Sequence, residues 1–501
     1  MQAPLETNST TSLGRAMTKP SSTHGHRILI SIPNGFQLRQ VVHSGIVDLL
    51  RDKGCRIAIV SPNRRGEGFT AELAPDVDIY PFELSVGPFR RRYLAARQHL
   101  LLDCIPTETL RQKMIDLWPR LPSAALFAQM GNRLLRLFPW LRERALRWER
   151  FILRDAALDK ILASNPVDLI FLGTPGYVPQ DALLMHAGAY CQIPVVAAVA
   201  SWDNLSSKGL INPQPNCLLV WSDHMRREAI KLQGMPAERI VETGSTVHQA
   251  FADPDRFGSR QENFRHLGLD PERQLIFYGT NHGGFFPDEV EVVRRVAEWV
   301  ENDALGKPCQ LWVRLHPQAV TGPFQVPTDA YSTLASERVK VEFPPVHESS
   351  MLWDLPKDDL DHLVRLLRDA DIVINTGSTL SIDAAILDRP VISIAYDPAG
   401  NLPYEQSIRR YYDLTHMSTV VTAGATQLAT SAEDLRQNIV RYLDHPELDR
   451  DGRRRIVEQQ LGRVDSRSTE RVVEAILKTL HTKHAVGIAK EGHNGRVFSH
   501  L

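Results

Sequence analysis

The chain is expected to fold as an α/β protein. Two Rossmann-like domains, each a parallel sheet covered on both faces, should face each other across a cleft. Three observations predict this. Short apolar runs alternate with helix-like segments along most of the chain. The alternation lapses near Phe251–Gln261 and then starts again. The stretch from Asp371 to Pro390, DIVINTGSTLSIDAAILDRP, reads as strand, tight turn and helix, with a further strand at Val391–Ile394.

The elements follow in order. Residues 1–25 are rich in Ser and Thr and lack the apolar core of a signal peptide, so a disordered tail is expected. Arg27–Ile32 is a short apolar strand, Pro33–Gly35 a turn, Val41–Leu50 a helix stopped by Gly54, and Arg56–Val60 a second strand. Val167–Leu172 is a strand ending at Gly173, Ala182–Tyr190 a helix, and Pro194–Val199 the next strand. Cys217–Trp221 leads into a helix at His224–Leu232, and Arg239–Thr243 closes the first half.

The second half opens with a strand at Leu275–Tyr278 running into Gly279–Gly284. A helix from about Pro287 to Trp299 and a strand at Gln310–Leu315, ending in His316–Pro317, come next. After the 371–394 unit, a helix spans Glu433 to about Leu443, and a charged terminal helix runs to about Leu480. The expected organisation is therefore a first domain at 26–250, a second at 251–460, a terminal helix at 461–480 and a flexible tail at 481–501.

Phe89–Arg154 breaks the alternation. It holds fourteen Lys/Arg and five Asp/Glu, a net +9, interleaved with Leu, Trp and Phe as in LLRLFPWLRERALRWERFILR. Two readings are open. One is a helical insertion packed on the sheet with solvated arginines outside. The other is an interfacial surface that meets anionic lipid headgroups.

Bulk composition excludes several classes. The 501 residues are 43% hydrophobic and 23% charged with a net charge of −1, which is an ordinary globular balance without a nucleic-acid signature. Five cysteines without a CxxC pair speak against a disulfide framework or a zinc site; Cys55, Cys191 and Cys217 sit in apolar context and should pack as small hydrophobes. That cysteine usage makes a reducing cytoplasm the expected setting, and no run of apolar residues is long enough to span a bilayer, so no spanning helix is expected.

Five segments could carry chemistry. The Thr376–Thr379 turn offers backbone N–H groups and two hydroxyls to a phosphate. Asp383, about one helical turn on, could reach a ribose hydroxyl. Arg314 and His316 (VRLHPQ) follow a strand of the same half and would converge on the same point; alternatively His316 only shapes the turn before Pro317. Gly279–Gly284 (GTNHGG) permits close backbone approach, with Thr280 and His282 toward the ligand, and is neither GxGxxG nor a Walker loop.

The first half supplies two more segments. In SWDNLSSKG, Asp203 could act as general base, with Trp202 and Asn204 toward an acceptor and Lys208 balancing phosphate charge; alternatively Asp203 and Asn204 close Asx turns. In NGFQLRQVVH, Asn34 and Gly35 could approach an acceptor, Arg39 could bind an acceptor anion, and His43 is the alternative base or simply a helix histidine. GSTVH at Gly244–His248 is a hinge or a cleft-lining loop. Five DxD triplets, including Asp359–Asp361, follow no predicted strand end. Each is expected on a solvated loop or helix face, so a metal-dependent donor site is not indicated.

On these residues the chain resembles GT-B glycosyltransferases over most of 26–480. Gly377-Ser378-Thr379, Asp383-Ala384 and Pro390 are similar to that fold's donor-site element, in which a small-residue turn meets the donor phosphates and an acidic residue seven positions before a proline binds the ribose. This chain has Asp where many members have Glu. His316-Pro317 with Ser378-Thr379 is similar to the paired HP and S/T motifs of bacterial capsule enzymes, including polysialyltransferases and CDP-glycerol glycerophosphotransferases. SWDNLSSKG and VWSDHMRREAIKLQGMPAERIVETGS resemble bacterial surface-polysaccharide (capsule or O-antigen) proteins, and VDSRSTERVVEAI resembles the final helices that cross back to the first domain.

The resemblance implies transfer of a sugar, or a polyol phosphate, from a nucleotide donor to a hydroxyl of a glycan or lipid-linked acceptor in cell-envelope polysaccharide synthesis. Arg314, His316, Gly377, Ser378, Thr379, Asp383, Thr280 and His282 would hold the donor without a metal or cofactor. Asn34, Gly35, Arg39, Trp202 and Asn204 would meet the acceptor, and Asp203 or His43 would be the base. The expected setting is the cytoplasm, peripheral on the inner face of the membrane. Two alternatives share the architecture: a non-hydrolysing UDP-N-acetylglucosamine 2-epimerase-like enzyme, which needs no acceptor, and a non-catalytic scaffold.

Overall fold

The structure is a computed structural model describing residues 25–84, 87–101, 105–321, 323–400 and 402–493. The expected N-terminal tail lies outside these residues except for Gly25, as does the end of the chain from 494. Two parallel sheets form the frame. The first contains β1 (Arg27–Ser31), β2 (Arg56–Ser61), β3 (Asp78–Pro81), β4 (Leu169–Leu172), β5 (Val195–Ala198), β6 (Cys217–Val220) and β7 (Ile240–Glu242). Its order is β3-β2-β1-β4-β5-β6-β7. The second contains β8 (Gln274–Gly279), β9 (Cys309–Arg314), β10 (Val339–Glu342), β11 (Ile372–Asn375), β12 (Val391–Ile394) and β13 (Gln427–Ala429), in the order β10-β9-β8-β11-β12-β13. Every recorded pair is parallel, as in β1 with β2 and β8 with β11.

Central strands such as LIFL in β4 and IVIN in β11 are wholly buried, because helices cover both faces of the sheet. The edge strands β3 (DIYP) and β10 (VKVE) are largely half-exposed. With β13 (QLA) they lack the continuous apolar run by which the other strands are predicted, and the sequence did not predict them. In each sheet the winding reverses once, between β1 and β4 and between β8 and β11. Those reversals open crevices beyond the strand carboxyl ends, where such sheets bind ligands. The two Rossmann-like halves thus form the GT-B-type arrangement.

The halves are held together closely. One core cluster joins Trp202, Leu205 and Met225 of the first half to Ile382, Met417 and Val420 of the second. The terminal helix, Ser468–His493, returns to the first half, where Val472, Val473, Ile476 and Leu480 pack with Ile28 and Val196. It runs past Leu480, where the sequence predicted its end. The described residues between 88 and 152 form four helices: Pro88–Arg97, Glu108–Arg120, Pro122–Leu137 and Trp140–Ile152. Helix Glu108–Arg120 clamps both halves. Lys113 Nζ donates to the Ser207 carbonyl (2.9 Å) on one side, and Arg410 Nη1 bonds Asp116 Oδ1 (2.5 Å) on the other. Cys55 and Cys217 are buried as expected, but Cys191 is exposed at the end of its helix.

Candidate functional site

The loops after β8, β9 and β11 meet at the reversal point of the second sheet. Hydrogen bonds lace them together. Thr280 N donates to the Arg314 carbonyl (3.0 Å), and His316 N donates to Thr280 Oγ1 (3.1 Å). Asn281 Nδ2 bonds the Thr376 carbonyl. Behind them Glu289 is fully buried; it accepts from Asn281 N (2.7 Å) and from Thr376 Oγ1 (3.1 Å). Burial pushes its carboxyl up to about 7. Sequence reasoning missed Glu289, because its partners come from two loops and no local pattern marks it.

Five of the expected donor-side residues gather here: Thr280, His282, His316, Gly377 and Ser378. The His282 and His316 ring centroids lie 6.0 Å apart, and His316 is 5.8 Å from Trp353. Burial, with smaller contributions from His282 and Arg39, lowers His316 to about 3, so it is neutral at physiological pH. Its Nδ1 accepts from Gln318 N (3.1 Å), which leaves the ring proton on Nε2 as a donor. His282 is lowered in the same way by burial and then by Arg120. Gly377 has φ +54°, the left-handed region that favours glycine, and Phe285 and Tyr411 stack 3.8 Å apart against it. Ser378 Oγ accepts from Leu380 N (3.2 Å), and Thr379 is exposed at the start of the following helix.

The other donor-side residues are placed differently. Asp383 Oδ1 lies 3.0 Å from His248 Nε2, and His248 Nδ1 lies 2.7 Å from Ser245 Oγ. The GSTVH loop therefore reaches across to the expected ribose carboxylate. Arg314 is buried, and its guanidinium is taken by Glu342 and Asp359 rather than offered to a phosphate. Asp359 also bonds Arg39 Nη2 (2.8 Å), so one carboxylate joins an arginine from each half. This corrects two expectations. Asp359 belongs to a DxD triplet read as solvated, yet its side chain is only 2% exposed, and Arg39 binds this carboxylate rather than an acceptor anion. The sequence could not show it, since the three residues are far apart in the chain.

The first-half loops are engaged in packing. Asn34 Oδ1 caps Phe36 N (2.9 Å). Gly35 does permit a close approach, but to protein: its N donates to the Leu352 carbonyl (3.0 Å), and a Cβ there would sit 1.8 Å from the Trp353 carbonyl oxygen. Trp202 is buried edge-on to His416 at 5.1 Å. Asn204 Oδ1 accepts from Ala200 N and Ser201 N, both at 3.0 Å, so it satisfies backbone groups of its own loop, though three and four residues back rather than in an Asx turn. Asp203 accepts from Ser207 Oγ (2.6 Å) and lies 3.7 Å from Lys208 Nζ. Burial would raise its carboxyl, but Lys208 and Lys113, with the Ser207 hydroxyl, hold it far below the usual carboxylate range. A carboxylate so firmly held is a weak base.

His43 ends a π-helical turn, Leu38–His43. Burial, then Arg39 and Lys357, lower it to about 4, so it too is neutral. It opens, with Arg39, Thr246 and Lys357, into a cavity of about 610 Å³ between the halves. A larger cavity of about 870 Å³ lies among Pro194, Cys217, Arg239 and the terminal helix. That is the amino-terminal side of β5 and β6, away from the converging loops. The helix clamp contributes one further group. Arg120, exposed at its end, acts electrostatically on both His282 and Tyr411.

No family model and no curated protein matches the chain. Solved structures do. S. aureus MnaA with UDP superposes at TM-score 0.53 and 11% identity, covering 89% of this chain and 95% of that one. The UDP-GlcNAc 2-epimerase of Neisseria meningitidis bound to UDP-GlcNAc superposes at TM-score 0.53 and 12% identity, covering 90% and 100%. A glycosyltransferase from Rickettsia africae overlaps at TM-score 0.47 and 10% identity, covering 91% and 99%. At these identities the likeness concerns the fold.

Proposed function

We propose that this protein is a nucleotide-sugar-dependent enzyme that transfers a sugar to a hydroxyl of a glycan or lipid-linked acceptor. The observation that carries the reading is the meeting of Thr280, His282, His316, Gly377 and Ser378 on three laced loops. Neutral imidazole N–H groups and hydroxyls, held in place before any ligand arrives, suit the diphosphate leaving group. Arg120 adds the positive charge in place of a metal. Phe285 and Tyr411 would form the wall behind the diphosphate, and Asp383 would exchange His248 for the ribose. His43 lines the 610 Å³ cavity, which would receive the acceptor, and would take the acceptor proton there: lowered to about 4 it is a weak base, but a stronger one than Asp203. That two neighbours of the fold were solved with UDP or UDP-GlcNAc supports a nucleotide-sugar as donor.

A second reading is a UDP-sugar 2-epimerase-like reaction. One observation favours it: Gly35, Arg39, Trp202 and Asn204, expected at the acceptor, are all engaged within the protein. An epimerase needs no acceptor. Incubation with UDP-sugars, followed by NMR, separates the two. Transfer predicts nucleotide release that rises when acceptor is added; a new 2-epimer without acceptor supports the second reading. Neither outcome, with nucleotide still bound, would leave a binding scaffold.

A further inference from the structure

We propose that the outer face of helices Pro122–Leu137 and Trp140–Ile152 docks on an anionic lipid surface. Both helices are built inside out. The first buries Ala124, Ala125, Ala128 and Leu135 and leaves Leu126, Phe127, Met130, Leu134 and Leu137 exposed. At 100° per residue these five fall within one arc of roughly 100°, a single stripe. The second buries only Glu149 and exposes Trp140, Trp148 and Phe151, which share one face by the same count. Leu137 is 73% exposed and Trp148 70%. A monomer rarely exposes so much contiguous apolar surface without use.

Charge decides what covers it. Residues 122–152 carry six arginines and two glutamates. Glu149 is buried and paired with Arg97 Nε at 2.6 Å, which leaves Glu143 alone to oppose them. The arginines lie among the aromatics: Arg144 stands 5.0 Å from the Trp140 ring and Arg150 4.7 Å from the Phe151 ring. Two copies of such a face would set rows of like charge against each other, whereas lipid phosphates would neutralise them. Trp and Arg interleaved on one helix face is the composition of an interfacial helix, whose apolar side sinks to the headgroup boundary. No helix among the described residues is long and apolar enough to cross a membrane, so the surface would lie on the bilayer. Leu121, Trp118 and Arg120, just before it in the chain, are also exposed, and Arg120 acts electrostatically on His282 of the converging loops, so docking would bring the cleft near the lipid.

The test is sedimentation of the full chain with phosphatidylcholine vesicles containing phosphatidylglycerol, and with phosphatidylcholine alone. The proposal expects binding to the anionic vesicles that weakens with salt, and a blue shift of Trp fluorescence. The triple variant Leu137→Glu/Trp148→Glu/Phe151→Glu should lower partitioning by about a hundredfold with an unchanged melting temperature. Arg144→Glu/Arg147→Glu, which leaves the apolar stripe intact, should weaken binding to anionic vesicles specifically. No vesicle binding at low salt overturns the proposal. So does self-association of the wild type that the triple variant abolishes, since a second copy would then be the occupant.

Discussion

The loops after β8, β9 and β11 and the loops after β1 and β5 occupy equivalent places in two similar sheets, and both are rich in Gly, Asn, Ser and charged residues. They use those residues in opposite ways. In the second half, Thr280, Asn281 and Thr376 tie the loops together over the buried Glu289, so the two histidines and Ser378 remain at the crevice. In the first half the side chains themselves do the tying. Gly35 admits Trp353, Arg39 holds Asp359, Trp202 meets His416, and Asp203 is fixed by Ser207 and Lys208. Residue type at a strand end therefore does not decide function; what supports the loop from behind does.

The contrast predicts that removing a side chain that ties the loops from behind acts on stability, and that substitutions on the converging loops act chiefly on ligand affinity. The largest effect is expected at Asp359. Asp359→Ala leaves half-buried Arg39 without its carboxylate and buried Arg314 with Glu342 alone, which should cost about 3–5 kcal/mol in urea unfolding. A loss below about 1 kcal/mol would break the contrast, since exposed pairs cost no more than that.

An acid sensitivity of similar origin comes next. His43, His99 and His416 are lowered to about 4 and His316 to about 3, mainly by burial. The folded state keeps them neutral, while the unfolded chain protonates near 6.5. Their contribution is intact above that pH and is lost as pH falls from there toward 4. Each should lower stability by about 1.4 kcal/mol per pH unit across that window. Urea midpoints between pH 7 and 5 read this directly, and His316→Asn should flatten the slope.

Much of the frame was legible in the sequence because central parallel strands are buried on both faces. Leu169–Leu172 and Ile372–Ile374 announce themselves as apolar runs. The edges were not legible, since Val339–Glu342 alternates weakly and Asp78–Pro81 carries little apolar signal. The converging loops were legible for a local reason: Gly377, Ser378, Thr280 and His316 stand within a few residues of predicted strand ends. Asp359 and Glu289 were not, because their meaning lies in partners brought close only by folding. Asp203 looked like a base because one of the cations that hold it, Lys113, comes from a distant segment and adds to the neighbouring Lys208 only after folding.

The central claim is that a nucleotide binds on the second-half loops. Calorimetric titration tests it, using whichever of UDP, GDP, CMP or CDP gives the largest thermal shift. Wild type, Ser378→Ala/Thr379→Ala and Asp203→Asn should be compared. The double variant should bind about tenfold more weakly, and Asp203→Asn should bind as the wild type does. Equal affinity in the double variant, or a loss confined to Asp203→Asn, would contradict the account.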